Sequence, residues 1–304
     1  MLEVGTEDAG QRIDNYLMRH LKGAPRSLIY RILRRGEVRV NKGRIKPEYR
    51  IQAGDLVRVP PVRTAAPTPS NVGEGAGDRL EQRILYEDER LLIIDKPAGM
   101  AVHGGSGLSY GVIEALRAAR PEAHFLELVH RLDRETSGCL LIAKKRSELR
   151  MLHELLRERD FEKRYLALVQ GRWNLGDKRI NAPLLKNQLR GGERFVTVDP
   201  EGKAADSRFR PLEIFNEASL VEVELGSGRT HQIRVHATHV GHPLAGDEKY
   251  GDEAFNRRMR DLGLRRLFLH AHSIGFRDPA SGREVHASAP LPDELRAVLD
   301  KLGG

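Results

Sequence analysis

Residues 128–138 read Leu128-Val129-His130-Arg131-Leu132-Asp133-Arg134-Glu135-Thr136-Ser137-Gly138 and run directly into Cys139-Leu140-Leu141-Ile142-Ala143. The apolar run has the length of a strand and no polar interruption, which reads as a central strand of a sheet. The charged segment before it is then a short loop rimmed by core strands, a place where one side chain can be held rigidly. Two readings compete at this level: a solvated connection, or a catalytic loop that presents the carboxylate of Asp133 between two arginines.

Working outward, the run Leu91-Leu92-Ile93-Ile94 reads as a second central strand. Apolar patterning predicts strands at 83–86, 91–95, 139–144, 163–170, 194–199, 207–215, 219–225 and 231–236, and helices at 109–118, 147–159, 253–262 and 292–301. Strands that follow one another with few helices between them imply an α+β fold with a mixed, largely antiparallel sheet.

The first 63 residues differ from this in character. They hold 14 Lys and Arg against 7 Asp and Glu, whereas the remaining 241 residues hold 37 against 36. Almost all of the net charge of +8 is therefore concentrated in the first fifth of the chain, the electrostatic mark of a polyanionic partner. Ile13, Leu17 and Leu21 form one helical stripe, and Leu28, Ile29, Ile32 and Leu33 a second, divided by Gly23 and Pro25. Arg26, Arg31, Arg34 and Arg35 can project from the second helix away from its apolar side. Short strand patterns at 38–40, 45 and 56–59 complete a small module of two helices plus a hairpin, better suited to binding than to catalysis. Residues 64–79, TAAPTPSNVGEGAGDR, read as a flexible linker, leaving 80–304 as the large domain.

No run of about 18 apolar residues is present, and the acidic start of the chain is unlike a secretion or transit signal. The single cysteine, Cys139, reads as a buried structural thiol. A cytoplasmic protein is expected.

Residues 10–59 resemble an S4 RNA-binding domain, with Arg-x-Asp-x-x-Leu at 12–17, a serine-started basic second helix and the Val38-x-Val40-Asn41 hairpin. The resemblance implies that Arg26, Arg31, Arg34 and Arg35 contact an RNA backbone. The segment His130-Arg131-Leu132-Asp133-x-x-Thr136-Ser137-Gly138 resembles the second motif of the RluA-type pseudouridine synthases at every fixed position. Asp95-Lys96-Pro97-x-Gly99, Lys163-x-Tyr165-x-Ala167 and Gly228-Arg229-Thr230-His231-Gln232-Ile233-Arg234-x-His236 resemble further motifs of that family, and Gly246-Asp247-x-x-Tyr250-Gly251 also fits. The likeness spans Gly10 to about Leu302. It implies Asp133 as the catalytic carboxylate, Arg229 as the arginine that pairs with it, Tyr165 packed on the target uracil, Ile233 lining the base pocket, and Arg131 filling the space that the base vacates. The first motif would support the active-site loop.

Other constellations are weaker. His231, His236, His239 and His242 lack the spacing of a zinc helix, and no cysteine pair accompanies them, so no metal is expected. Gly104-Gly105-Ser106-Gly107 lacks the Gly-Lys-Ser/Thr of a phosphate loop and reads as a turn. The family resemblance implies isomerisation of uridines to pseudouridine without a cofactor, and its closest subgroup implies 23S ribosomal RNA, free or in a large-subunit precursor, as partner. A monomer is expected. Two alternatives remain: a non-catalytic RNA-binding factor in ribosome assembly, and a synthase acting on another RNA such as transfer RNA.

Overall fold

In the computed structural model, which describes residues 1–21, 23–62, 73, 75–105, 109–190 and 193–303, the two apolar stripes of the basic module close on each other. Helices α1 (Ile13–His20) and α2 (Arg26–Arg34) bury Ile13, Leu17, Ile29, Ile32 and Leu33 together with Val38, Val40, Ile51 and Val57. Strands β1 (Leu2–Glu3), β2 (Arg39–Val40), β3 (Gly43–Arg44) and β4 (Leu56–Arg58) form one small sheet in the order β1-β4-β2-β3. The hairpin is thus part of a four-stranded sheet, because Leu2 and Glu3 pair with Val57 and Leu56. Arg26, Arg31, Arg34 and Arg35 are all exposed.

The chain divides into two units, Met1–Val72 and Gly73–Gly304. Most of the expected linker lies outside the described residues. Its last part does not read as linker in the structure: residues 76–79 open α3 (Ala76–Glu81), whose Ala76, Gly77 and Leu80 are buried. Gly77 lies directly against Ala115 and Ala119 of α4 (Val112–Ala119), so a small-residue stretch that resembles a spacer is a close helix contact. Ser106 and Gly107 of the expected glycine-rich turn lie outside the described residues.

The second unit is an α+β domain. Its strands are β5 (Ile84–Glu87), β6 (Leu91–Lys96), β7 (Glu127–Leu128), β8 (Ser137–Ala143), β9 (Phe161–Gln170), β10 (Lys178–Asn181), β11 (Leu184–Arg190), β12 (Glu193–Val198), β13 (Asp206–Ile214), β14 (Ala218–Leu225), β15 (Leu269–Arg277) and β16 (Glu284–Ser288). The main sheet runs β10-β13-β14-β9-β15-β8-β6-β5, with β16 on β15 and β7 on β8. β11 and β12 form a separate hairpin. Every pairing among the described strands is antiparallel except β8 with β15, which is parallel. The runs expected to be central are so: β6 and β8 are buried at every residue. Helices α5 (Arg146–Glu158), α6 (Gln232–His239), α7 (Glu253–Asp261) and α8 (Asp293–Gly303) complete the unit.

Two differences from the sequence reading matter. Residues 231–236 are not a strand. From Gln232 onward they form α6, and its buried side carries Gln232 and His236 beside Ile233, Val235 and Ala237. Ile233 and Val235 alternate with residues that count as polar, which imitates a strand. In the fold, Gln232 donates to Asp206 O and Ser207 Oγ, and His236 bonds Ser207 Oγ and Ala182 O, so both are satisfied inside the protein. The second difference is β15, absent from the sequence reading because His270, His272 and Gly275 dilute its apolar pattern. It nevertheless lies between β8 and β9.

Candidate active site

The loop 129–136 leads into the first residue of β8 and is fastened along its length. His130 Nε2 accepts the Leu141 N–H at 3.2 Å. The Arg134 carbonyl accepts the Gly99 N–H at 2.9 Å and the Lys96 ammonium at 3.1 Å, while Arg134 Nε returns a bond to Gly99 O at 2.9 Å. Thr136 N closes a turn onto the Asp133 carbonyl at 3.1 Å. Lys96 is fully buried and also donates to the Pro97 and Met100 carbonyls, at 2.8 and 2.9 Å. Burial pushes its ammonium down to about 7. The Asp95-Lys96-Pro97-x-Gly99 segment therefore braces the loop that carries Asp133.

A second brace lies at the start of β8. His270 Nε2 faces the Ala289 carbonyl at 3.2 Å, which can only accept. The ring proton is thereby assigned to Nε2, and Nδ1 accepts from Ser137 Oγ at 2.9 Å. Ser137 Oγ in turn accepts from Arg266 at 3.1 Å. Burial pushes His270 down to about 4, consistent with a neutral ring. Next to it, Gly138 has φ 107° and leaves no room for a Cβ against the Ala271 carbonyl, so the parallel approach of β8 to β15 requires glycine.

Asp133 lies in a cavity of about 90 Å³. Its side chain is 23% exposed. Tyr165 on β9, Ile233 on α6, and Arg131 and Arg229 from the two loops line the same cavity. These five sequence-selected residues are brought together although 102 positions separate the first from the last. Tyr165 is almost buried, and burial, then the nearby Asp133 charge, raises its hydroxyl well above the usual tyrosine range. Arg131 is exposed, and among the described residues its guanidinium has no hydrogen-bond or ion-pair partner.

The expected Arg229–Asp133 pair is not formed. Arg229 is exposed, and its Nε donates to the Ala204 carbonyl at 3.1 Å. Among the described residues, the basic side chains within 4.0 Å of the Asp133 carboxylate are Arg234, with NH1 at 3.9 Å, and the imidazole of His231, with Nε2 at 3.8 Å. The reason is the helix: with α6 beginning at Gln232, residue 234 points into the cavity while residue 229 sits in the preceding turn. Arg234 is clamped by Asp247, Nε to Oδ2 and NH2 to Oδ1 both at 2.7 Å, in a bidentate pair. Burial opposes its charge, but Asp247 and Asp133 together raise it above the ordinary arginine value. Asp247 is held below the usual carboxylate range: burial works against this, and the Arg234 guanidinium and the Lys249 and Tyr250 N–H groups outweigh it.

Tyr250 adds a further layer. Its ring lies 4.9 Å from the Arg234 guanidinium carbon. Its hydroxyl accepts the Val196 N–H of β12 at 3.0 Å and meets His231 Nδ1 at 2.8 Å. With the hydroxyl proton assigned to Nδ1, the Nε2–H of His231 faces Asp133. His231 itself has φ 54° at the start of α6, and burial lowers its pKa against the opposing pull of Asp133. Arg234, Asp247, Tyr250 and this role of His231 escaped the sequence reading. All four lie within motifs already quoted, but only the helical register of α6 shows which arginine faces the carboxylate.

Residues 90–239 match the family model described as RNA pseudouridylate synthase, and residues 11–57 match that of the S4 domain. The chain is 58% identical over 306 residues to the ribosomal large subunit pseudouridine synthase C of Pasteurella multocida (strain Pm70), with 99% of this chain and 93% of that protein covered. Its identity to the protein of the same name from Escherichia coli (strain K12) is 55%, covering 99% and 96%. The solved human RNA Pseudouridylate Synthase Domain Containing 4 superposes with a TM-score of 0.62 at 24% identity, over 75% of this chain and 95% of that one, a likeness of fold.

Proposed function

Since this chain belongs to the RNA pseudouridylate synthase family, we propose that it isomerises specific uridines of 23S ribosomal RNA to pseudouridine, with Asp133 as the catalytic carboxylate. The observation that carries the reading is one partly exposed carboxylate held beside a clamped guanidinium in a cavity walled by Tyr165 and Ile233.

The reaction breaks the N1–C1′ bond and rejoins the same uracil through C5. Nothing is oxidised and nothing leaves, so the carboxylate is the group the chemistry asks for. Asp133 acts either by attack on C1′, as a glycosidase nucleophile does, or by taking the C2′ proton to give a glycal. Both routes need the ionised carboxylate, and the Arg234 guanidinium stands 3.9 Å from it. The base must leave its stack to reach the cavity, at a cost of roughly a few kcal/mol that RNA–protein contacts offset. In this reading Tyr165 packs on the uracil, Ile233 lines the pocket, and exposed Arg131 enters the gap in the RNA. Arg26, Arg31, Arg34 and Arg35 of the S4 module (residues 1–63) grip the phosphate backbone. The protein works without a cofactor, as a monomer, in the cytoplasm.

The test is mapping of pseudouridine in 23S RNA, by chemical blocking and primer extension, in a strain lacking the gene and in the same strain supplied with wild-type protein or Asp133→Asn. Sites should vanish on deletion, return with the wild type and stay absent with Asp133→Asn, which still binds RNA. If the 23S sites are unchanged on deletion, the substrate assignment fails. Turnover by Asp133→Asn defeats the catalytic one.

A further inference from the structure

A second cleft, of about 440 Å³, adjoins the active-site cavity and shares Arg234 with it. One wall is Glu135, two residues beyond Asp133 on the braced loop. The other walls come from the segments 246–249 and 260–267. These segments are locked together. The Phe268 N–H donates to Ala245 O at 2.9 Å, and Gly246, at φ 73°, lies so close to the Arg266 carbonyl that a Cβ would not fit. The cleft is therefore a preformed surface.

Its charge is uneven. The lining holds five cations, Arg234, Lys249, Arg260, Arg265 and Arg266, against the carboxylates of Glu135, Asp247 and Glu248. Asp247 is committed to Arg234, and Arg266 to Glu294 at 3.1 Å and to Ser137. Arg260 and Arg265 are exposed and have no carboxylate within 4.0 Å among the described residues. Arg265 NH1 donates to the Arg260 carbonyl at 3.1 Å, which ties the two neighbours to one rim. Two cations with no carboxylate partner beside a preformed cleft, which shares Arg234 with the cavity that holds Asp133, fit a singly charged phosphodiester better than an apolar or cationic ligand.

We propose that this cleft binds the backbone of the RNA strand next to the target nucleotide, with Arg260 and Arg265 taking its phosphates. The inference rests on the reading of the first cavity as the uridine site. It extends that reading by giving the strand a path: the base enters beside Asp133, and the flanking phosphates pass Arg234 and Glu135 onto the Arg260–Arg265 rim. Glu135 and Glu248 then act against misplaced phosphates, since like charges are repelled from those walls.

The experiment uses the full chain and a 23S RNA transcript. Filter binding is measured over a series of KCl concentrations for wild type, Arg260→Gln/Arg265→Gln, the charge-retaining Arg260→Lys/Arg265→Lys, and Arg296→Gln on α8 as a surface control. Loss of two phosphate contacts lowers the steepness of log affinity against log salt by about 1.4, at about 0.7 per contact for a single strand, and weakens binding roughly tenfold. The lysine pair recovers most of both, and Arg296→Gln behaves as wild type. In pseudouridine formation on the same transcript the loss appears in KM. A salt dependence identical to wild type in the glutamine pair overturns the proposal. So does protection of the wild type by orthophosphate against thermal unfolding, lost in the glutamine pair while RNA binding stays unchanged, because the cleft would then be a site for free phosphate. Binding is read without turnover, so absence of any pseudouridine product would count against the active-site reading and leave the salt result to decide the cleft.

Discussion

Replacing Arg234 by lysine separates the two arginines that compete for the role of partner to Asp133. The guanidinium stands 3.9 Å from the carboxylate. At an effective dielectric of about 20, unit charges at that distance interact by about 4 kcal/mol. Asp133 is partly exposed, so solvent reduces the usable part to roughly 1–3 kcal/mol, or about 10- to 100-fold in rate if it is lost from the transition state. Lysine keeps the charge but not the fork: it can replace one of the two 2.7 Å bonds to Asp247, and its ammonium is then drawn toward that buried carboxylate and away from Asp133. Arg234→Lys is therefore expected to lower kcat by about 10- to 100-fold with little change in KM, and to cost about 1–3 kcal/mol of stability through the lost charged hydrogen bond. Arg229→Gln removes an exposed side chain bonded to a backbone carbonyl and should change kcat by less than about tenfold. Single-turnover pseudouridine formation on a 23S transcript, with urea denaturation of the same preparations, measures both effects separately. Near-normal kcat in Arg234→Lys, together with a collapse in Arg229→Gln, would refute the assignment and show that Arg229 takes over the carboxylate when RNA binds.

Gly138→Ala forces a Cβ toward the Ala271 carbonyl at a positive φ. It is expected to destabilise the protein by at least about 2 kcal/mol, seen as a lower urea midpoint, and a wild-type midpoint would mean that β8 and β15 are not held as close as the structure has them. His270 titrates about 4 in the fold against an ordinary 6.5. With the folded value depressed, stability is fully present above pH 6.5 and falls as pH drops from 6.5 toward 4, by up to about 3 kcal/mol. His270→Gln should flatten that part of the stability–pH curve, and an unchanged curve would show that the ring is free to protonate. Replacing Arg26, Arg31, Arg34 and Arg35 together by glutamine should weaken binding of the 23S transcript and reduce its salt dependence without touching stability, because all four side chains are exposed. A salt slope equal to the wild type would make the basic face of α2 idle.

The central strands β6 and β8 were legible because buried strands need unbroken apolar runs, and Leu91–Ile94 and Leu140–Ile142 supply them. The helices α5, α7 and α8 were legible from their 3.6-residue stripes, and the basic module from its two short ones. β15 was not, since a strand whose buried polar side chains are satisfied by neighbours distant in the chain has no local apolar signature. His270 meets Ser137 and Ala289, and nothing within 269–277 announces either. The same cause turned α6 into an apparent strand.

Asp133, Tyr165, Ile233 and Arg131 could be named from the chain alone, because the segments around them resemble motifs of the RNA pseudouridylate synthases, and the fold places all four around one cavity. Which guanidinium faces that carboxylate was a different kind of question. Arg229 and Arg234 are five residues apart in one motif, and their directions differ only because α6 starts at Gln232 and Asp247 grips the second of them. Side-chain direction is set by backbone register and by partners remote in sequence. Residue type alone carries the chemistry, and only the folded chain determines where it points.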